Sequence, residues 1–406
     1  VDILKLAVIF VLIVMALRKR LPVSITLFGA GLLAALLFTV PLSDLLSAYW
    51  KLVTSTRFLT LTSVVVLITT LGNLLKEIGS LERLSTACRN LYGGKRTAVA
   101  VMPPLIGLMP MPGGALLSAP LVGTVLSEPE YPPRLKTAVN YWYRHVVEHF
   151  MPIYPGIIVS EAITGMPVAK LALMQSPLAI VMFILGLIFF VRHVERAPFG
   201  GGRLKEPLLG ILGAIWPIAF AILLYGALRW NLSLSVLVAL VLLVVVRRPT
   251  RQMLKFSFRR GFNYKLVFLV FGILSFQTAL EISGAIATVE HLSGDYGLPP
   301  AVIIFAVSFT AGLLTGMYAA FVALAYSLLA GFLYQPEIVP GNILLAYISG
   351  YVGMMLSPAH LCLILTNEYF RSDLFAVLRM LVLPALLLLG AGVLLVISPW
   401  PALFGG

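Results

Sequence analysis

Charge is what this chain of 406 residues has least of. Only 11% of the residues are Asp, Glu, Lys or Arg, while 60% are hydrophobic; a soluble domain carries about 25% charged residues. That deficit excludes a soluble globular protein and points to a polytopic membrane protein, with room for about ten spans of roughly 20 residues each. Acids are scarcer than bases, 16 against 29, for a net charge of +13. In so apolar a chain the surplus reads as positive-inside loops rather than a nucleic-acid surface, so no nucleic-acid partner is expected. Cysteine occurs only as Cys88 and Cys362, which excludes a disulfide framework and any metal-type cysteine spacing. No Ser/His/Asp arrangement and no phosphate-cradling loop stands out. No Asp lies in the middle of an apolar run, which argues against a cation/proton antiporter. The first segment lacks the basic start and small-residue cleavage site of a signal peptide. Its charges, Arg18-Lys19-Arg20, follow the apolar stretch, so it reads as a first span.

Apolar runs fall at about 2–17, 21–42, 58–78, 97–127, 137–165 and 169–192, then at about 208–228, 231–246, 265–287, 298–334, 338–369 and 373–398. The second set is the first displaced by roughly 205 residues, a period that means duplication rather than a solenoid. Short matches agree: Lys76-Glu77-Ile78-Gly79 with Leu280-Glu281-Ile282-Ser283, Leu91-Tyr92-Gly93 with Asp295-Tyr296-Gly297, and Met151-Pro152 with Ser357-Pro358. The chain is therefore expected to hold two repeats, 1–200 and 206–406. If the fourth run of each enters and leaves by one face, 22 of the 29 Lys and Arg fall on a single side. That side is then cytoplasmic, which puts the N-terminus outside. Each repeat has five transmembrane helices plus one re-entrant hairpin, at about 97–127 and 298–334. Because five is odd, the second repeat is inverted. The expected fold is an all-α polytopic membrane protein of two inverted-topology repeats, the plan of secondary transporters whose substrate sits where the repeats meet.

The first hairpin carries GLMPMPGGALLSAP, Gly107 to Pro120. Pro lacks a backbone N–H and Gly is a poor helix former, so the stretch breaks a span rather than crossing as one. Pro112, Gly113 and Gly114 form its expected tip, where Gly113 and Gly114 offer N–H groups at the start of the returning half-helix, the positive end of its dipole. Ser118 adds a hydroxyl one turn in. Thr315, Gly316 and Met317 form the second tip: Thr315 to cap the returning half-helix, Gly316 to permit close approach. The same small residues also serve tight helix packing. The fifth run of each repeat is broken as well, at Pro152-Ile153-Tyr154-Pro155-Gly156 and at Ser357-Pro358-Ala359-His360, the second shortly after Gly350-Tyr351-Val352-Gly353. Paired breaks at matching positions point to a transporter's site, which adds Tyr154, Ser357 and His360 to the substrate-binding candidates. Thr366-Asn367 and the matching Ser160-Glu161 can supply oxygens to a coupling cation or act as solvent-side caps.

Tyr141 to His149, YWYRHVVEH, is the densest ionisable group in any apolar run, and charge at such depth is costly. Arg144 offers a bidentate fork for a carboxylate or phosphate, and Glu148, His145 and His149 are candidate coupling-ion groups. The alternative is an i,i+4 Arg144–Glu148 pair that neutralises itself. His145-Val146-Val147-Glu148-His149 also matches the H-x-x-E-H zinc motif, so an intramembrane metallopeptidase using His145, Glu148 and His149 is an outsider reading. No third ligand declares itself, and a peptidase leaves the duplication unexplained.

With these repeats, hairpins and breaks, the chain resembles secondary carriers of the ion transporter superfamily. More narrowly, YWYRHVVEHFMPIYPG and LSPAHLCLILTNEYF resemble an integral-membrane family of unknown function within it. The resemblance implies a scaffold domain from the first two spans of each repeat, a mobile transport domain, an elevator motion, a homodimer, and drive by Na+ or H+. Sodium-coupled carboxylate members carry Ser-Asn-Thr at the hairpin tips; here the tips read Met-Pro-Gly-Gly and Thr-Gly-Met. The expected protein is a secondary active transporter, not an enzyme, for a small anionic organic solute. It lies in the lipid bilayer of a prokaryotic-type plasma (inner) membrane, with no cofactor beyond Na+ or H+ as coupling ion. An anionic-lipid flippase is the alternative, since basic loops suit lipid phosphates, and a non-transporting scaffold is an outsider.

Overall fold

The structure, a computed structural model, describes residues 2–19, 21–89, 93–109, 114–199 and 205–405. Nearly all of them are helical, as apolar runs must be where no water is present to satisfy the backbone. The first half contains α1 (Asp2–Arg18), α2 (Val23–Leu37), α3 (Leu42–Val53), α4 (Thr56–Glu77) and α5 (Ser80–Arg89). It continues with α6 (Lys95–Gly107), α7 (Ala115–Val125), α8 (Pro133–His145), α9 (Pro155–Thr164) and α10 (Val168–Phe189). The second half contains α11 (Lys205–Ala227), α12 (Leu232–Arg247), α13 (Arg251–Gly261), α14 (Tyr264–Ile282) and α15 (Ala285–Tyr296). There follow α16 (Pro300–Thr315), α17 (Tyr318–Leu328), a one-turn α18 (Ala330–Leu333), α19 (Pro340–Met355), α20 (Leu361–Phe370) and α21 (Leu374–Ile397).

Among the described residues, five helical stretches are long and apolar enough to cross a membrane by themselves: Thr56–Glu77, Val168–His193, Lys205–Ala227, Arg251–Ile282 and Leu374–Ile397. Each of the runs 97–127, 137–165, 298–334 and 338–369 is at least two helices with a break between them. The amphipathic helices α3, α5, α13 and α15 lie in or beside the polar stretches between runs. Local capping sets their ends: Thr250 Oγ1 accepts from Met253 N (3.3 Å) to start α13.

Contacts between the halves recur with the halves exchanged. α2 packs on α14 as α12 packs on α4, α3 meets α14 as α13 meets α4, and α1 meets α15 as α11 meets α5. Likewise α7 packs on α20 as α17 packs on α9. Helices α4 and α14 run antiparallel. Arg57 at the start of α4 donates to Gln277 Oε1 (2.5 Å) near the end of α14, and Thr70, toward the other end, meets Gly261 just before α14. Helices α10 and α21 are antiparallel too. Trp400, past the end of α21, donates to Met174 O (2.9 Å) near the start of α10. Met380, early in α21, shares a cavity with Arg192, His193 and Val194 beyond the end of α10.

Lipid tails are as apolar as Leu, so close packing rather than water exclusion holds such helices together. The tightest crossing is α16 on α19. Gly312 faces the Gly350 carbonyl and Gly353 faces the Phe309 carbonyl, so near that a methyl at either position would overlap the opposite backbone. On the periphery, α21 leaves Leu383, Leu386, Leu394 and Ile397 exposed, as a lipid-facing surface requires.

Candidate substrate and ion site

Pro133 opens α8 at a position where its missing N–H costs nothing. After His145 the helix tightens into a 3-10 turn, Val146–His149, and the chain then breaks until Pro155 starts α9. In the second half α19 ends at Met355, and Leu361 begins α20 after a break that holds Ser357 and His360. Gly316 (φ +58°) ends α16 in the left-handed region, where a Cβ would lie 2.8 Å from His360 N and 2.9 Å from Ser357 Oγ. The turn between α16 and α17 is therefore docked on the break between α19 and α20.

A cavity of about 280 Å³ lies where these breaks and the tip converge. Arg144, His145, Glu148 and Tyr154 line it from the first half, and Thr315, Gly316, Met317, His360 and Cys362 from the second. A larger groove of about 530 Å³, lined by Thr56, Arg57, Glu161, Tyr225 and Asn231, lies elsewhere. There Glu161 is occupied, accepting from Val168 N (3.1 Å) at the start of α10. Converging ionisable groups, not size, single out the smaller cavity.

Arg144 is buried, 3% exposed. Its Nη1 donates to Tyr154 Oη (2.8 Å) and to Gly107 O (3.3 Å), and Tyr154 Oη donates to the same carbonyl (2.7 Å). Its Nε has no hydrogen-bond partner among the described residues. A Cβ on Gly114 would come 2.5 Å from Nη2, so both sides of the first hairpin break, Gly107 and Gly114, rest on the guanidinium. The anticipated Arg144–Glu148 pair does not form among the described residues. Glu148 Oε1 instead lies 3.9 Å from His145 Nε2, and Glu148 Oε2 has no hydrogen-bond partner among the described residues. A buried guanidinium with a spare donor and no carboxylate partner is a place for an anion.

The H-x-x-E-H arrangement does not assemble. The 3-10 turn breaks the i,i+4 stacking of His145 and His149. His149 Nδ1 meets Tyr347 Oη (2.6 Å) and its Nε2 lies 3.3 Å from Met182 Sδ, outside the cavity lining. His145 turns instead to His360 of the other half, Nε2 to Nε2 at 3.0 Å.

The remaining candidates separate cleanly. Pro112 and Gly113 lie outside the described residues. Ser118 is buried and donates to Ala115 O (3.2 Å), off the cavity. Thr315 lines the cavity but does not cap α17, whose first residue follows Met317. As the last residue of α16 it bonds back to Ala311 O (2.8 Å). Ser357 accepts from Ala359 N (3.2 Å) and shapes the break. Thr366 accepts from Asn140 Nδ2 (3.1 Å), and Asn367 Oδ1 accepts from Ser372 Oγ (2.6 Å), which in turn meets Thr137 Oγ1 (2.7 Å). Neither lines the cavity; the Asn367 bond belongs to the end of α20, as a cap does. Cys362 and the Gly107 carbonyl escaped the sequence reading, one as a lone cysteine and the other because a carbonyl leaves no mark in a sequence. Tyr318 escaped too; its ring fills the space that a Cβ on Gly156 would need.

The fold is similar to that of a solved membrane transporter. The YdaH transporter of Alcanivorax borkumensis, whose crystal structure reveals an unusual topology, is similar at a TM-score of 0.63 and 14% identity, over 90% of this chain and 91% of that one. The chain belongs to the DUF401 family of proteins of unknown function, which matches residues 3–397. A search of curated proteins finds no match.

Proposed function

We propose that the protein is a secondary active transporter for a small anionic organic solute. The observation that carries this reading is Arg144: a buried guanidinium at the edge of a central cavity whose Nε has no hydrogen-bond partner among the described residues, and which shares the cavity with Glu148 without forming a close ion pair with it. A charge at that depth is stable only if something supplies the counter-charge. The exchanged contacts and the antiparallel α4/α14 and α10/α21 pairs support two inverted repeats, 1–200 and 206–406. In that arrangement α6–α7 and α16–α17 are the re-entrant hairpins, and α1, α2, α11 and α12 belong to the scaffold against which the rest moves as an elevator. This is the plan of ion transporter superfamily carriers. The protein works as a homodimer in a prokaryotic-type plasma membrane with its N-terminus outside. Glu148, whose Oε1 lies 3.9 Å from His145 Nε2 and whose Oε2 has no partner among the described residues, suits proton coupling better than sodium coupling.

The test is capacitive current and tracer uptake in proteoliposomes challenged with carboxylates, phosphates and sulfonates, with and without a sodium or pH gradient. Saturable, gradient-dependent uptake of one class supports the carrier. Silence in both readouts overturns it and favours the lipid flippase, for which the cavity of about 690 Å³ lined by Arg96, Arg134 and Arg192 would be the headgroup site.

A further inference from the structure

We infer that His145, His360 and Cys362 form a binding site for a zinc-class transition-metal ion, shared between the two halves of the chain. One ligand atom from each lies within 4.8 Å of the other two, and all three side chains line the central cavity. The two histidines are the telling pair. His145 Nδ1 faces Tyr141 O at 2.6 Å and His360 Nδ1 faces Met354 O at 3.3 Å. A carbonyl oxygen only accepts, so each Nδ1 carries the proton. Each Nε2 then presents a lone pair, and the two lone pairs meet at 3.0 Å. Opposed lone pairs repel unless a cation stands between them. Ring N–H groups held by backbone carbonyls are also how proteins orient metal-binding histidines.

The donor set fits zinc chemistry. Two imidazoles and a thiolate are the ligands of a three-residue site that keeps a fourth position open. A tetrahedral ion with Zn–N bonds of about 2.0–2.1 Å sets its nitrogens roughly 3.3 Å apart, so the rings need separate only slightly. Binding forms the metal–sulfur bond as Cys362 loses its proton to solvent. Glu148, with Oε1 3.9 Å from His145 Nε2 and Oε2 unpartnered, offsets the charge of the ion. Arg144 lines the same cavity as the three candidate ligands. The site goes beyond the carrier reading and does not depend on which anion is moved.

The experiment is titration of the full-length, EDTA-treated protein in detergent with Co2+ and then Zn2+, followed by absorption and by metal analysis. The expected result is one equivalent of Co2+, tetrahedral d–d bands, a sulfur-to-cobalt charge-transfer band, and displacement by Zn2+. Cys362→Ser should abolish the charge-transfer band. His360→Gln should weaken binding by more than the roughly 10–100-fold that loss of an outer-shell partner costs. His149→Gln should leave the spectrum unchanged, and thermal melts establish that each variant folds. A folded wild-type protein that takes up no cobalt at equimolar concentration, or a charge-transfer band that survives Cys362→Ser, overturns the site; the histidines then share only a proton. Transport without metal uptake overturns this inference alone, and metal uptake without transport overturns the carrier alone.

Discussion

Docking of the α16–α17 turn on the break between α19 and α20 can be tested with one methyl group. Gly316→Ala places a Cβ in a left-handed backbone (φ +58°) and drives it against His360 N at 2.8 Å and Ala359 C at 2.9 Å. The left-handed conformation alone costs an L-residue about 1–2 kcal/mol. Overlap with backbone atoms that cannot rotate away adds about 1–3 kcal/mol. Gly165→Ala is the matched control: Gly165 has φ +75° with nothing within 4 Å of its Cβ position, so it carries the backbone cost alone. Unfolding of both variants and wild type by SDS titration in mixed micelles gives the two free energies. Gly316→Ala should exceed Gly165→Ala by about 1–3 kcal/mol, and transport should fall with it because Thr315, Gly316 and Met317 line the cavity. Equal losses in the two variants would refute the docking, since the extra cost comes only from contact between turn and break.

Other expectations follow from the same geometry. Arg144→Ala should raise the apparent KM for the transported anion by roughly 10–100-fold, the worth of a charged hydrogen bond of about 1.5–3 kcal/mol. Arg144→Lys should fall between Ala and wild type, because a point charge cannot reproduce the fork; an unchanged KM in both variants removes the anion clamp. Gly312→Leu should cost monodisperse yield in detergent, because its side chain meets the Gly350 carbonyl, whereas Gly390→Leu, with open space around it, should behave as wild type. Cysteines replacing Lys51 and Arg229 should react with an impermeant maleimide from outside intact cells, and those replacing Lys76 and Lys255 only after the membrane is opened. Labelling of all four from one side sinks the inverted arrangement.

The class of molecule was legible early. Composition alone required a membrane protein, and the positions of Pro and Gly located the breaks at 152–156 and 357–360, because missing N–H groups and weak helix formers act locally. Helices α3, α5 and α13 were not legible, because they are short and fall between the apolar runs. Side-chain partnerships were less legible still. Spacing in a regular helix paired Arg144 with Glu148 and His145 with His149, and a 3-10 turn undid both.

The sequence by itself determined the apolar runs, their recurrence after about 205 residues, the breaks and the charged segment around Arg144. Each of these depends on what a residue is and on its near neighbours. Only the tertiary structure decided that Arg144 rests against Gly107, Tyr154 and Gly114, that His145 meets His360, and that Cys362 joins them. The His145–His360 contact crosses 215 residues of chain. No local periodicity records such a distance, because packing of the two halves against each other, and not helix geometry, brings those atoms together.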